Sequence, residues 1–248
     1  TASLAMGYST HASGQNATAI GYATKAIGEK STALGGNTTA SGNFATSMGD
    51  STTANGVASF AVGNRCTAIG NNAIAMGAYS RADGDRSFAV GDDAKALQYS
   101  CISMGSNAYV DANHAVAIGK QALVSTGPSG AFVFADASAN AFTTSTAANQ
   151  MTMRFAGGYR LFTNSTSTVG VSLAAGGNSW ATISDRNKKE NFRPINGNGI
   201  LKKIGAMPLT SWNYKGQDPK IYRHYGPMAQ DFYAAFGNDG VGTVGNDT

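Results

Sequence analysis

The chain has 248 residues, of which 32 are glycine and only 13% are charged, with a formal net charge of +4. That composition excludes a bulky globular core and favours a thin, regular one built from small side chains. It carries no basic stripe interleaved with aromatics for nucleic acid, no apolar run near the roughly 18 residues that span a bilayer, and no histidine or cysteine cluster for a metal.

From the N-terminus a period of 14 residues is plain, in "SLAMGYSTHASG", "ATAIGYATKAIG", "STALGGNTTASG" and six further turns. Glycine recurs at Gly7, Gly21, Gly35, Gly49, Gly63, Gly77, Gly91, Gly105 and Gly119, and a second glycine follows seven residues after each until it lapses to Gln98 and Ala112. Each turn of the repeat therefore predicts two short alternating strands, each closed where glycine takes φ > 0. One face of the strands carries Ser or Ala, as at Ser3 and Ala5 or Ala73 and Ala75, and is assigned to the interior of a flat coil. Cys66 and Cys101 replace residues of these small columns and read as buried, unpaired thiols.

The other face of the first strand carries Leu4/Met6, Thr18/Ile20, Thr32/Leu34, Thr46/Met48, Phe60/Val62, Ile74/Met76, Phe88/Val90, Ile102/Met104 and Val116/Ile118, fifteen of eighteen being apolar. The matching face of the second strand has only Ile27, Ile69 and Leu97 as aliphatics among sixteen positions. One flank thus faces water, and the other is a ribbon roughly 40 Å long whose burial is worth well over ~10 kcal/mol. No other long apolar segment is available to cover it, so self-association is expected.

These turns resemble the head of YadA-like trimeric autotransporter adhesins. The resemblance implies a left-handed parallel β-roll over residues 1–126 and a homotrimer sealed through the ribbon. It also implies an extracellular setting, with a surface ligand, glycan or host or matrix protein, that it does not specify.

After "STGPSG" the period is lost, and residues 127–183 predict a short β-rich neck or prism. "RFAGGYRLF" predicts a hairpin turning at Gly157-Gly158. Phe132, Phe134, Phe155, Tyr159 and Phe162 are expected as core of that β-domain, with a sugar-stacking platform as the alternative. Sequons at Asn16, Asn37 and Asn164 are expected by chance in so Asn- and Thr-rich a chain.

Charge density rises from Ser184 onward: residues 184–248 hold nine Lys/Arg and six Asp/Glu. "NGILKKIGAMPL" predicts an amphipathic helix stopped by Pro208, "SWNYK" a strand, and "GPMAQDFYAAFG" a second helix ended by Gly237. "NGNGILKKI" lacks the lysine-serine/threonine pair of a phosphate loop. In "SDRNKK", Ser184 and Lys189 are close enough in sequence for a turn to bring amine to hydroxyl, and neighbouring Arg186 and Lys188 favour a neutral lysine.

"SDRNKKENF", "MPLTSWNYK" and "HYGPMAQDF" together resemble the endosialidase-type intramolecular chaperone, a self-cleaving module at the ends of phage tail fibres and other trimeric extracellular proteins. The resemblance implies a small α+β domain over residues 184–248 in which Ser184 is the nucleophile, Lys189 its general base and Asp185 a supporting residue, with cleavage between Ile183 and Ser184. Asn191, Trp212, Tyr214, Gly226, Ala229 and Gln230 match framework positions. Members usually run on into a further helical end, so the domain is expected to be truncated, and the start at Thr1 is expected to be that of a mature or trimmed piece. The fold expectation is mainly β: a trimeric β-roll, a neck and a chaperone, without cofactor, metal or membrane-inserted segment. The alternatives are a permanent, non-cleaving trimer clamp or a phage receptor-binding fibre. A glycan-cleaving tailspike ranks last, because acids such as Asp92 and Asp93 sit at repeat turns.

Overall fold

A computed structural model describes residues 2–182 and 190–237. The chain divides into two compact units, Thr1–Ile183 and Ser184–Thr248.

The first unit is a parallel β-solenoid. Each of the first eight coils gives one five-residue strand, such as Leu4–Tyr8 or Thr18–Tyr22, and one two-residue strand, such as His11–Ala12 or Lys25–Ala26. The longer strands stack in parallel into an 11-stranded sheet and the shorter ones into a 10-stranded sheet. Leu4 pairs with Thr18 and Met6 with Ile20, and the same register continues upward, so every side chain lies over its counterpart one coil away.

Between the sheets the core is almost all alanine. Ala19, Ala33, Ala61, Ala75 and Ala89 from one sheet and Ala26, Ala40, Ala54, Ala68, Ala82 and Ala96 from the other are fully buried. The inward assignment of the Ser/Ala face therefore holds from the second coil onward; in the first coil Ser3 and Ala5 are exposed. Buried hydroxyls fill the same columns, and Ser47 and Thr52 hydrogen-bond each other across 2.8 Å.

The glycines act differently from the expectation. The Gly7 column does hold positive φ, as at Gly63 (φ +125), but the second column does not. What both share is contact. A Cβ on Gly63 would lie 1.9 Å from the carbonyl oxygen of Gly77, and one on Gly56 would lie 1.9 Å from that of Gly70. Close approach of successive coils, more than backbone hand, selects glycine.

The left-handed backbone region is instead occupied by non-glycine residues once at each corner, including Asn37 (φ 53), Arg65 (φ 54) and Phe44 (φ 61). From Ala23 onward these corner residues of the repeat donate their N–H to the preceding coil, Asn37 to the Tyr22 carbonyl at 2.8 Å and Phe44 to that of Glu29 at 2.7 Å. That hydrogen bond offsets a conformational cost of about 1 kcal/mol.

The sheets do not stop at residue 126. Phe132–Ala135 and Met151–Arg154 extend the long sheet, and Thr143–Thr144 extends the short one. Val116 pairs with Phe132 and Phe132 with Met151, spacings of 16 and 19 residues. Longer corner loops thus break the sequence period while the coil continues. The hairpin also falls elsewhere: Tyr159–Phe162 pairs antiparallel with Gly170–Leu173, which pairs with Ala181–Thr182. Asn164 organises that return, its Oδ1 accepting the N–H groups of Thr168 and Val169, both at 3.0 Å.

In the second unit, helix α1 (Gly197–Ala206) begins at Asn196, whose side chain accepts the Gly199 N–H, and it ends before Pro208. Strands Thr210–Trp212 and His224–Gly226 form an antiparallel pair, and helix α2 (Ala229–Phe236) follows. Lys203 Nζ donates to the Ala235 carbonyl at 2.7 Å, joining the last turns of the two helices.

Close stacking makes a specific demand. Gly63→Ala should destabilise the first unit by at least about 3 kcal/mol. Gly157→Ala, where an added Cβ meets nothing within 4 Å, should leave thermal unfolding unchanged. Circular-dichroism melts of the two variants check this.

Candidate functional site

The outward face of the long sheet gathers Leu4, Met6, Ile20, Leu34, Met48, Phe60, Val62, Ile74, Met76, Phe88, Val90, Ile102, Met104, Val116 and Ile118 into one strip, because their strands pair in register. None is buried in the single chain. Neighbours above and below shield most of them partly, yet Met6 stays 57% and Met104 37% exposed. The three threonines Thr18, Thr32 and Thr46 interrupt only one edge of the strip. Across the coil, the short sheet turns His11, Lys25, Arg81 and Lys95 outward, with Ile27 and Ile69 exposed among polar neighbours. One side is fit for water and the other for a nonpolar partner.

Chemically reactive groups are few in this unit. Cys66 and Cys101 are free and fully buried. Their thiols approach backbone carbonyls, Cys66 that of Gly77 at 3.2 Å and Cys101 that of Gln98 at 3.0 Å. Burial raises the pKa of both, that of Cys101 to about 11, so neither is an activated nucleophile. Asp136 is held below the usual carboxylate range by the Ser138 hydroxyl, the Ala156 N–H and nearby Arg154. It ties the end of the solenoid together. Among the described residues no group of three or more His, Cys, Asp or Glu is placed to hold a metal. No described helix is long and apolar enough to cross a membrane.

In the second unit the proposed catalytic residues Ser184, Asp185 and Lys189, and Ile183 before them, lie outside the described residues. Of the framework positions, Asn191 is exposed with φ 59, Gly226 pairs with Thr210 across the hairpin, and Ala229 and Gln230 form the exposed first turn of α2. Trp212 and Tyr214 come together in a cluster with His224. Trp212 stacks on His224 with centroids 4.6 Å apart, and Tyr214 meets Trp212 edge-on at 4.9 Å. Gln217 Oε1 lies 3.2 Å from His224 Nε2 and accepts the Tyr214 N–H at 3.0 Å.

Sequence reasoning passed over His224 and Gln217. No sequence signal marked them: the contact follows from the hairpin register, which sets Trp212 directly opposite His224.

Two features of this unit are incomplete in one chain. The shielded indole N–H of Trp212 finds no acceptor among the described residues. Moreover, not one described residue from 190 to 237 is buried: Leu201 is 67%, Leu209 75% and Ile221 73% exposed. The described residues of this unit thus supply little of the apolar burial that offsets chain entropy.

Comparison with known families agrees with this division. Residues 1–24, 26–52, 40–65, 68–94 and 102–122 match the model described as YadA head domain repeat. Residues 184–241 match a peptidase family described as chaperone of endosialidase. Head repeats and chaperone domain stand in that order along the chain. No curated protein matches it.

The thiols give a direct check on the coil interior. Iodoacetamide should label neither cysteine in the native protein at pH 8, and both once it is unfolded. The Cys66→Ser/Cys101→Ala double variant should cost less than about 1.5 kcal/mol, since other coils carry Ser or Ala there. The folded pKa of Cys101, about 11, lies above its unfolded value, so the neutral thiol stabilises fully below pH ~8.5 and that contribution is lost as pH rises toward about 11. Chemical denaturation of the wild type and of Cys101→Ala between those limits measures it.

Proposed function

We propose that three copies of this chain form an extracellular fibre or adhesin, sealed along the apolar ribbon, whose C-terminal domain aids assembly and then releases itself. The observation that carries the proposal is that neither unit completes its own apolar burial. The solenoid keeps a continuous strip half-open, and the second unit has no buried residue among those described. The order of head repeats and chaperone domain supports the same reading.

In this reading the C-terminal domains hold three chain ends together while the coils register. Parallel coils rely on contacts distant in sequence, so unassisted alignment is slow and exposes apolar surface on the way. Once the seam is closed, the scaffold is dispensable, and its removal leaves a kinetically trapped fibre.

Cleavage follows from Ser184 lying just after the scissile bond. Its Oγ attacks the Ile183 carbonyl carbon through a five-membered ring while neutral Lys189 takes the hydroxyl proton. The Ile183–Ser184 amide bond breaks, the proton passes to the departing Ser184 nitrogen, and an ester remains between Ile183 and Ser184 Oγ. Water hydrolyses that ester, freeing the Ile183 carboxylate and restoring the hydroxyl. Lys189 must be deprotonated, against an ordinary lysine pKa of about 10.4, and Arg186 and Lys188 beside it favour the neutral form. Asp185 is assigned a supporting role, forming a turn or orienting the pair. Each chain cuts once, so nothing is turned over.

Denaturing electrophoresis of the full chain tests cleavage. Wild type should yield a fragment whose first residue is Ser184, while Ser184→Ala and Lys189→Ala stay whole. Lys189→Arg should also stay whole, because a guanidinium does not act as a base. The rate should climb with pH as Lys189 deprotonates; an uncut wild-type trimer would make the domain a permanent clamp instead. Sedimentation of Ser184→Ala should give three times the 25.3 kDa of the chain. A folded monomer at micromolar concentration would remove the basis of the proposal.

A further inference from the structure

Residues 123–183 lie between the two family matches. We propose that its first part, through residue 154, is the closing stretch of the self-association seam, and that neighbouring copies of this chain cover Phe132, Phe134, Met151 and Met153. The inference rests on the trimeric reading above and extends it.

Three observations carry it. The first is register. Val116 pairs with Phe132 and Phe132 with Met151; Ile118 pairs with Phe134 and Phe134 with Met153. The ribbon therefore gains two rungs without a gap or a change of face. The second is side-chain direction: Val133, between the two phenylalanines, is fully buried in the coil, so the aromatic rings point outward.

The third is exposure. Phe132 is 39%, Met151 61% and Met153 45% exposed, at least as open as Ile102 (36%) and Met104 (37%) in the repeat itself. The long sheet ends with the strand that carries the two methionines. Arg154 hydrogen-bonds the carbonyls of Ala141 and Asp136 and pairs with the Asp136 carboxylate, tying off the coil.

The occupant follows from this continuity. All these strands belong to one sheet of one compact unit. A copy seated on the ribbon from Leu4 to Ile118 by rotation about the stacking axis meets each rung with the same rung, and it runs on over the next two. The seam then spans eleven rungs at about 4.8 Å each, roughly 50 Å. The unbranched thioethers of Met151 and Met153 suit an end where packing must adapt to irregular loops.

Methionine oxidation in the assembled protein provides the test, because sulfoxide formation follows exposure. After chloramine-T treatment and peptide mass spectrometry, Met151 and Met153 should oxidise roughly ten times more slowly than in the guanidinium-unfolded chain, as should Met48 and Met76. Free oxidation of Met151 and Met153 with Met48 and Met76 protected overturns this inference alone. Free oxidation of all four overturns the trimeric reading as well.

A second measurement uses variants on the open face, where the coil does not depend on the side chain. Met151→Lys/Met153→Lys should weaken association by at least about tenfold through buried charge, read by concentration-dependent sedimentation. Met151→Leu/Met153→Leu should leave it intact, and unchanged association of the lysine pair overturns the proposal.

Discussion

Coil lies on coil in register, and each residue class confined to one position of the repeat becomes a line running the length of the solenoid. Alanine inside gives a dry, narrow core. Glycine at the closest approach lets one carbonyl come within 2.2 Å of where a neighbour's Cβ would stand. Apolar pairs on the long sheet become a strip that stays unburied in the single chain. The small core and the open strip share a cause: side chains small enough to fill so thin an interior bury little area each, and the larger ones are left outside. A solenoid of this kind holds its backbone together by itself and leaves its larger apolar side chains partly open in the single chain.

The periodic part was legible in the sequence because strand alternation and repeat length are in phase, which fixed the inward columns and the strip before any coordinates. Two features were not legible. The coils at Phe132–Ala135 and Met151–Arg154 were hidden because their corner loops lengthen, although the apolar-small-apolar spacing of Phe132/Phe134 and Met151/Met153 was there to be matched. The role of the second glycine column was misassigned because φ is a local property and close stacking is not. Left-handed geometry fell to residues such as Arg65 and Tyr79, which carry no sequence mark of it.

In the C-terminal unit, the helix stops were readable from Pro208 and Gly237, whose chemistry is local, whereas the cap at Asn196 lies two residues before the stretch read as helix. The Trp212–His224 stack was not, since it depends on how two strands distant in sequence align. Ser184, Asp185 and Lys189 were identified through resemblance, and their chemistry rests on the proposed mechanism. The absence of a buried side chain among the described residues of this unit gives that mechanism a physical order. In the proposed mechanism, a domain that completed its packing only in company would also complete its cutting machinery only then, and the cut would follow assembly.

The coil geometry also has a mechanical side. One coil consumes fourteen residues of chain to advance a single inter-strand spacing. If tension along the stacking axis peels a coil away, those residues can extend to nearly their contour length, releasing about 40 Å of hidden length where ~5 Å stood before. Rupture in such steps would spread a sudden pull over many small yielding events, so a tether built from these coils would dissipate shock where a rigid rod would snap.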